Sequence, residues 1–427
     1  MSRIAAVRVT PILIADPPLL NVQGVHQPYT PRTIVEVETD AGVVGVGETY
    51  GDTDYLRVAE AFAPTLRGGE LNANLLPEAV RDCATRVALS RIDNTVQAEG
   101  LRGSRSLAKI ASSVASAFEV AIFDALGHQT GLPVHALLGG KVRDRVEYSG
   151  YLFYRWAQHP DPGGPTDDWG AALDPAGVVA QARRMARDHG FTSFKLKGGV
   201  FPPAEEVAAV KALAEAFPAQ PLRLDPNGGW TVQTSLQVAA ELEGIAEYLE
   251  DPTVGTPGMA AVAARTSLPL ATNMCVTTFE EIPEAFRVGA VQVVLSDHHY
   301  WGGLLATCEL AAICRTFGVD LSMHSNTHLG ISLAAMTQVA ATIPNLRYAC
   351  DTHRPWQTED VITVPHTFVD GCLPVTDTPG LGIELDRDRL AELHQRWLDL
   401  PELRSRDDAA AMRRVRPEFS APKLPIW

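Results

Sequence analysis

The chain has 427 residues, of which 46% are hydrophobic and 20% are charged, and its formal net charge is −15. This composition is that of a globular protein with two or three domains, or with one barrel and additions. The negative charge argues against binding to nucleic acid or to an anionic membrane surface. Residues 1–18 lack the uninterrupted apolar core of a signal peptide, and Glu119 and Asp124 interrupt the apolar stretch at residues 114–126. We therefore expect neither export nor a membrane span.

The six cysteines show no C-x-x-C spacing. A chain of this size does not need disulfide bonds for stability, so free and buried thiols are expected. Free thiols fit a reducing compartment, and the predicted location is the cytoplasm. The six residues are Cys83, Cys275, Cys308, Cys314, Cys350 and Cys372.

The first part of the chain combines strands and helices. Three segments alternate apolar and polar side chains and are predicted strands: residues 7–14, 33–39 and 43–49. The last two are joined across Asp40, Ala41 and Gly42 as a hairpin. A long apolar helix is predicted at residues 107–126, with Gly127 as its stop. We predict an N-terminal α+β capping domain over residues 1–140.

After about Val142, short apolar strands alternate with alanine-rich helices, which is the pattern of repeated βα units. Helices are predicted at residues 175–189, 204–217 and 234–242. From the second predicted strand end onward, successive ends are 23 to 28 residues apart, the length of one such unit. The pattern predicts a (β/α)₈-type barrel over residues 141–375, followed by a segment, 376–427, that packs back on the capping domain. The eight strand ends are predicted near Tyr151, Lys197, Asp225, Glu250, Asn273, Asp297, His324 and Cys350.

Three oxygen-bearing side chains, Asp225, Glu250 and Asn273, stand at successive predicted strand ends. The strand ends of a barrel share one rim, so these side chains should converge. Oxygen ligands suit Mg²⁺, which also keeps sites for water and for a substrate carboxylate. One acid at a strand end is often only a helix cap, but three in register favour a metal site. Asp251 competes with its neighbour Glu250 for the ligand role.

Two lysines, Lys195 and Lys197, alternate along one predicted strand and therefore point to the same side, here the barrel interior. A buried ammonium group is unfavourable unless it is paired or used. A nearby metal and the second ammonium would lower the pKa of a lysine, so Lys197 is a candidate base and Lys195 a candidate anion-binding group. Two lysines in solvent at a strand end would be the ordinary alternative.

Asp297 and His324 stand at the ends of the next two strands after the metal-binding set. A carboxylate can fix the tautomer of a neighbouring histidine and raise its basicity, which gives an acid or base that works near neutral pH. With Lys197, His324 would place one base on each side of a bound acid. Metal and lysine would neutralise the carboxylate, so that removal of the α-proton gives an enediolate. Reprotonation and loss of a β-hydroxyl both remain open.

Several motifs carry a resemblance to a known family. The chain resembles the enolase superfamily, and within it the glucarate dehydratases, along nearly its whole length. Asn273 is informative because many members of the superfamily have a carboxylate at that position. The motifs are residues 21–26 (NVQGVH), 121–127 (AIFDALG), 137–140 (LLGG), 150–153 (GYLF), 195–199 (KLKGG), 225–228 (DPNG), 271–274 (ATNM), 324–326 (HSN), 351–353 (DTH) and 406–408 (RDD).

The resemblance implies Mg²⁺-dependent dehydration of an acid sugar, D-glucarate or its epimer L-idarate, to 5-keto-4-deoxy-glucarate. His324 would take the proton from one epimer and assist departure of the hydroxide, and Lys197 would serve the other epimer. It also implies an even-numbered homo-oligomer. Residues 97–107 depart from the glycine- and arginine-rich segment of the family, which puts the identity of the substrate in doubt. The implied substrate contacts are His26, Tyr151, Lys195, Asn227, Ser325, Asn326, His353 and Arg406.

Three alternatives remain at this point. A racemase or epimerase of the same superfamily would use the same enediolate. A barrel-type metal hydrolase would use the histidines of the last strands, but the oxygen set favours Mg²⁺ over Zn²⁺ and the first strand lacks H-x-H. A non-catalytic binding protein would have little use for so many ionisable groups on one rim. The histidines are His298, His299, His324 and His328.

Overall fold

The computed structural model describes residues 2–88, 106–160 and 163–427. Most of the atypical segment at residues 97–107 lies outside the described residues. The first 140 residues contain strands β1 Ile4–Ala15, β2 Leu20–Asn21, β3 Gly24–Val25, β4 Tyr29–Thr39 and β5 Val44–Tyr50. They also contain helices α1 Thr53–Phe62, α2 Leu76–Ala88, α3 Leu107–Thr130 and α4 Val134–Leu137, and a 3₁₀ turn at Ala63–Leu66.

Strands β1, β4 and β5 form an antiparallel sheet in the order β1-β4-β5, and the predicted hairpin between β4 and β5 is confirmed. Helix α3 packs on this sheet. Gly45 and Gly47 of β5 permit the close approach, because a Cβ at either position would collide with the main chain of α3 at Ala121 or Ala117. These glycines therefore serve the contact between strand and helix.

The predicted end of α3 at Gly127 is wrong, because the helix continues to Thr130. Gly131 ends it in the left-handed conformation, with φ of 71°, and donates its N–H to the Gly127 carbonyl. Gly127 is required for another reason: a Cβ there would meet the main chain of Gly380. By length and hydropathy α3 could span a membrane, but 89% of its apolar window is buried inside the protein, as in a core helix.

Eight parallel strands form a nearly closed barrel, which confirms the predicted fold class. Going round the barrel, their order is β12-β11-β10-β9-β8-β7-β6-β13. The segment just before β13 contacts β12 through irregular bonds such as that from the Arg347 N–H to the Leu321 carbonyl (3.2 Å). The strands are β6 Arg145–Phe153, β7 Phe194–Lys197, β8 Leu222–Asp225, β9 Tyr248–Glu250, β10 Leu270–Thr272, β11 Val293–Ser296, β12 Asp320–Met323 and β13 Cys350–Thr352.

Helices follow the strands around the outside of the barrel. Helix α5 has the predicted bounds because three local signals agree. Asp174 caps its first turn by accepting the Gly177 N–H, Pro175 is its first residue, and Gly190 ends it with φ of 70°. The helices are α5 Pro175–His189, α6 Pro203–Ala216, α7 Val232–Leu242, α8 Gly255–Ala263, α9 Ile282–Arg287, α10 His298–Trp301, α11 Leu304–Phe317 and α12 Gly330–Thr342, with 3₁₀ turns at Phe279–Glu281 and Arg354–Trp356.

The first and eighth strand ends, predicted near Tyr151 and Cys350, each lie two residues later, at Phe153 and Thr352. Cys350 is instead the first residue of β13. The residues before it, Arg347 and Tyr348, donate their N–H groups to the Leu321 carbonyl of β12, so regular pairing with β6 starts only at Cys350. The functional end of this strand therefore lies two residues later than predicted.

The last part of the chain contains strand β14 Cys372–Pro374, helices α13 Arg387–Asp399 and α14 Asp408–Arg413, and a 3₁₀ turn at Pro401–Leu403. Strand β14 pairs antiparallel with the start of β6. Helix α13 lies on β1 of the first sheet, where His394 bonds to the Pro11 carbonyl at 2.7 Å and Arg396 donates to the Leu13 carbonyl at 3.1 Å. The division of the chain at residues 140 and 375 remains a prediction.

Candidate active site

The two lysines of β7 point into the barrel, as their alternation predicts. Lys195 is fully buried, and its Nζ lies 2.7 Å from Asp351 Oδ2 and 2.6 Å from Glu250 Oε2. Lys197 Nζ lies 2.6 Å from Asp225 Oδ2, because parallel pairing puts these two residues side by side on β7 and β8. The centre of the barrel therefore holds a network of buried, charge-assisted contacts.

The charges in this network shift one another's pKa. Burial lowers the pKa of Lys195, but Asp351 and Glu250 outweigh it and hold that pKa well above the ordinary value. Burial raises the pKa of Asp225, but Lys197 and Lys195 bring it below its usual range. Burial raises the pKa of Glu250 well above its usual range, Asp225 and Asp351 add to that shift, and Lys195 opposes it without reversing it. The network is thus short of positive charge.

Asp225, Glu250 and Asn273 fit a divalent cation. Three buried carboxylates face two ammonium groups, which leaves one negative charge that a cation would compensate. Asn273 is 1% exposed, yet among the described residues neither its Oδ1 nor its Nδ2 finds a hydrogen-bond partner. A buried amide oxygen without a donor is expected for a metal ligand.

Asp251, the competitor of Glu250, is engaged elsewhere. Its Oδ1 accepts the hydroxyl of Thr272 at 2.5 Å and its Oδ2 accepts the N–H of Asn273 at 2.8 Å. Its φ of 38° is left-handed, which turns its side chain towards β10 while Glu250 faces Lys195. Asp251 therefore supports Asn273, and Glu250 is the better candidate ligand.

We expect Mg²⁺ to stabilise the protein through this site. A ligand at 100 times its Kd adds about 2.7 kcal/mol to the free energy of unfolding. Thermal unfolding with and without Mg²⁺ measures the effect. Asn273→Leu should lose most of it because an oxygen ligand is missing, whereas Asn273→Asp should keep it. Equal stabilisation of wild type and Asn273→Leu would place the ion elsewhere.

Asp297 and His324 form the predicted pair. His324 Nδ1 lies 3.1 Å from Asp297 Oδ2, and the ring of Tyr300 stacks on the imidazole with centroids 5.5 Å apart. Burial lowers the pKa of His324, and Asp297 opposes that shift without reversing it. With its Nδ1–H donated to the carboxylate, the ring keeps Nε2 free to accept a proton.

A second histidine group adjoins this pair. Ligand atoms of Asp297, His299 and His328 lie within 4.8 Å of one another. The contact between Asp297 Oδ1 and His299 Nδ1 is 2.8 Å, a hydrogen-bond length, whereas two ligands of one tetrahedral zinc ion lie about 3.3 Å apart. This distance favours a hydrogen-bonded cluster and weighs against the barrel-hydrolase alternative.

The candidate bases and most of the predicted substrate contacts surround one small chamber at the strand ends. Its volume is about 30 Å³, which is space for about two water molecules. Lys197 and His324 line it from non-adjacent strands, β7 and β12. The other predicted contact residues on its wall are His26, Tyr151, Asn227, Ser325, Asn326 and His353.

These wall residues are held by specific neighbours. His26 Nδ1 lies 3.2 Å from Asp16 Oδ1, and Ser325 Oγ lies 3.1 Å from His353 Nδ1. Asn227 has φ of 52° and donates its Nδ2–H to Asp225 Oδ1 at 3.0 Å. Such contacts fix side-chain directions before a ligand arrives.

Two predicted contacts lie behind the chamber. Lys195 sits below it, in the charge network. Arg406 reaches it through Asn326, whose Oδ1 accepts an Arg406 N–H at 3.1 Å. Arg406 also pairs with Asp52 of the first domain, at 3.1 Å. Arg406 is thus a buried link between the tail, the first domain and the barrel.

The roof of the chamber comes from the β2–β3 hairpin. Asn21 Nδ2 donates to Asp408 Oδ2 of α14 at 2.9 Å, and Val22 packs with Met274 and Leu424. Segments far apart in the sequence therefore cover the strand ends. Such a roof excludes water from the reacting groups.

Sequence reasoning gave Asp351 and Tyr300 no chemical role, and it considered His299 only as a ligand in the alternative metal hydrolase. Asp351 came to attention only through the resemblance, although a fully buried Lys195 requires a second carboxylate partner. A search for acids near the last strand end would have found it. Tyr300 and His299 follow Asp297 in a single turn of helix, where no periodic pattern marks them.

Comparison with known protein families matches most of the chain. Residues 4–139 match the mandelate racemase / muconate lactonizing enzyme N-terminal domain, and residues 177–389 match the enolase C-terminal domain-like family. The chain belongs to the enolase superfamily. This enolase-superfamily enzyme is 66% identical over 427 residues to a probable glucarate dehydratase of Streptomyces coelicolor, an alignment that covers 99% of each chain. The resemblance inferred from the motifs is confirmed.

Solved structures agree with this family. An enolase from Mycobacterium smegmatis complexed with tartrate superposes with a TM-score of 0.92 at 54% identity, covering 100% of this chain and 99% of that one. An enolase from Pseudomonas fluorescens with bound magnesium, potassium and tartrate has a TM-score of 0.95 at 48% identity, with coverage of 100% and 99%. Both relatives bind a small dicarboxylate.

Proposed function

We propose that this enzyme dehydrates an aldarate in a Mg²⁺-dependent reaction, and that its substrate is D-glucarate or L-idarate, with 5-keto-4-deoxy-glucarate as the product. One observation carries the proposal: Lys197 and His324 line one chamber from non-adjacent strands, directly above the acidic set that fits a cation. The probable glucarate dehydratase relative and the tartrate complexes support a hydroxylated diacid as substrate.

The proposed metal ligands are Asp225, Glu250 and Asn273. When bound there, Mg²⁺ would supply positive charge at the substrate carboxylate and so acidify the adjacent C–H. Lys195 adds a second positive charge and holds Glu250 in place. His26 and His353, on the chamber wall, are proposed to bind and orient the hydroxyl groups of the substrate.

His324 is the proposed acid and base. Nε2 takes the proton from the carbon next to the carboxylate, while Asp297 stabilises the imidazolium through Nδ1. The electrons of the broken C–H bond pass to the carboxylate and give an enediolate. They then form the double bond between the α- and β-carbons as the β C–O bond breaks, which gives an enol. His324 returns its proton to the departing hydroxide, so water leaves. The enol then takes a solvent proton at the β-carbon and becomes the ketone.

Lys197 is the proposed base for the epimer with the opposite configuration at the reacting carbon. It faces the chamber from β7, across the barrel from β12. With a base on each side, the enzyme would also interconvert the two epimers. Epimerisation is therefore a second candidate activity that this arrangement favours.

Two features of the protein outside the chemistry complete the proposal. All six cysteines are free thiols, which fits the proposed cytoplasmic location. An even-numbered homo-oligomer remains our proposal from the family resemblance.

The test is incubation of purified enzyme with Mg²⁺ and a panel of six-carbon diacid sugars, followed by an assay for α-keto acid. We expect product from D-glucarate or L-idarate and its loss on chelation. A matched panel of monoacid sugars serves as the control for the second carboxylate. Keto acid from monoacids alone would contradict the proposed substrate class.

The acidic side of the pH profile should reflect His324. A base must be neutral, and burial lowers the pKa of His324 below its ordinary value of 6.5. The value of kcat/KM should therefore stay high as pH falls through 6.5 and decline only below it. The pH profile of kcat/KM, measured with the epimer whose α-proton His324 removes, gives this acidic limb. A decline that begins well above 6.5 would contradict the lowered pKa.

A further inference from the structure

We infer that His299 is a positioning residue for this reaction: it holds the Asp297 carboxylate in the orientation that His324 needs. The inference rests on the proposed role of His324. Asp297 Oδ1 accepts both the main-chain N–H of His299, at 2.9 Å, and its Nδ1–H, at 2.8 Å. Asp297 Oδ2 is thereby directed to His324 Nδ1, 3.1 Å away. One carboxylate thus forms hydrogen bonds to two imidazoles, of which only His324 lines the chamber.

The ring of His299 is fixed from its other side. It is fully buried, and its Nε2 lies 3.1 Å from Ser332 Oγ at the start of α12 and 3.1 Å from the Glu48 carbonyl of β5. A neutral ring with its proton on Nδ1 donates to Asp297 and accepts the serine hydroxyl at Nε2. A protonated ring donates to the Glu48 carbonyl instead. In both states the Nδ1–H stays on Asp297.

Sharing Asp297 changes the basicity of His324. When two donors share one carboxylate, each of them reduces the negative potential that the carboxylate exerts on the other donor. Loss of the His299 donor would leave more of the charge of Asp297 to His324, and the pKa of His324 would rise. The carboxylate would also be free to turn away. The groups that face or influence His324 are Asp297 after β11, His328 after β12, Tyr300 on α10, Lys195 on β7 and Asp351 on β13.

Two amide variants at position 299 separate positioning from packing. The Nδ2 of asparagine occupies about the place of histidine Nδ1, so His299→Asn keeps a donor for Asp297. Glutamine extends its amide towards the place of Nε2, so His299→Gln keeps a polar side chain but loses that donor. Both are neutral and polar: His299→Asn keeps the contact with Asp297 and loses those of Nε2 with Ser332 and the Glu48 carbonyl, and His299→Gln does the reverse.

NMR titration of ¹³C-labelled histidine gives the pKa of His324, assigned with His324→Asn. We expect His299→Gln to raise it by about one unit and His299→Asn to stay near wild type. In His299→Gln the acidic limb of the pH profile of kcat/KM should shift upward together with the pKa of His324. Exchange of the α-proton that Lys197 removes should not change. His298→Asn is the control, because His298 adjoins His299 with ring centroids 4.1 Å apart but makes no hydrogen bond to Asp297 among the described residues.

The NMR readout needs no substrate, so it separates this inference from the proposed function. An unchanged pKa of His324 in His299→Gln would overturn the inference even if the enzyme dehydrates glucarate. An equal shift in both amide variants would assign the effect to packing and overturn it as well. A shift confined to His299→Gln in a protein that dehydrates no diacid would support the positioning contact while the proposed function fails.

Discussion

Replacement of His324 by asparagine is expected to lower kcat for dehydration about 10²- to 10⁴-fold, with little change in stability. The amide retains a donor for Asp297 at the place of Nδ1, so the buried carboxylate stays paired. It has no nitrogen that can accept or return a proton, and general acid–base catalysis contributes an effect of about this size. The measurement is the rate of keto-acid formation with saturating Mg²⁺ and substrate.

The same variant also tests whether Lys197 and His324 act on opposite epimers. If Lys197 serves the opposite face, His324→Asn should still exchange the α-proton of the other epimer with deuterium from solvent. Thermal unfolding and its response to Mg²⁺ provide the control, and both should match wild type. A loss of dehydration smaller than about tenfold would remove His324 from the role of base. Equal loss of exchange with both epimers would indicate general damage to the site.

Replacement of Lys195 by methionine is expected to cost about 3–5 kcal/mol of the free energy of unfolding and to abolish activity. Lys195 is fully buried and contacts Glu250 and Asp351 at 2.6 and 2.7 Å. Methionine fills a similar volume but leaves these carboxylates facing each other without their shared cation. Urea denaturation followed by circular dichroism measures the loss in stability.

An exposed lysine gives the matched control. Lys211 pairs with Glu241 at 2.8 Å, but both side chains are in solvent. Lys211→Met should therefore change the free energy of unfolding by less than about 1 kcal/mol. A Lys195→Met variant as stable as Lys211→Met would show that the central charges are not coupled as their distances indicate.

The barrel and its rim could be predicted because both are periodic. Each βα unit places one polar side chain where its strand ends, so Asp225, Glu250 and Asn273 were visible as a set before the strands were seen. Helix α5 was predicted to the residue because its cap, its first proline and its terminal glycine all lie within the local sequence. Local rules and a regular spacing sufficed here.

Other features depend on contacts between distant segments, which no local pattern encodes. Local sequence rules place a helix end at Gly127, but this glycine is needed because its neighbour in space is Gly380. The eighth strand was misplaced by two residues because irregular pairing with β12 delays its start. The pairing of Arg406 with Asp52 joins residues 354 positions apart. Tertiary packing decides such cases.

The most direct test of the account is the reaction of D-glucarate with enzyme and Mg²⁺ in D₂O, followed by NMR. The account predicts one keto-deoxy acid that carries a single deuterium on the carbon that lost its hydroxyl, because the enol takes its last proton from solvent. Chelation should stop the reaction. Neither a keto acid nor exchange of any α-proton, with D-glucarate or with L-idarate, would contradict the central claim that this site removes a proton next to a carboxylate and expels water.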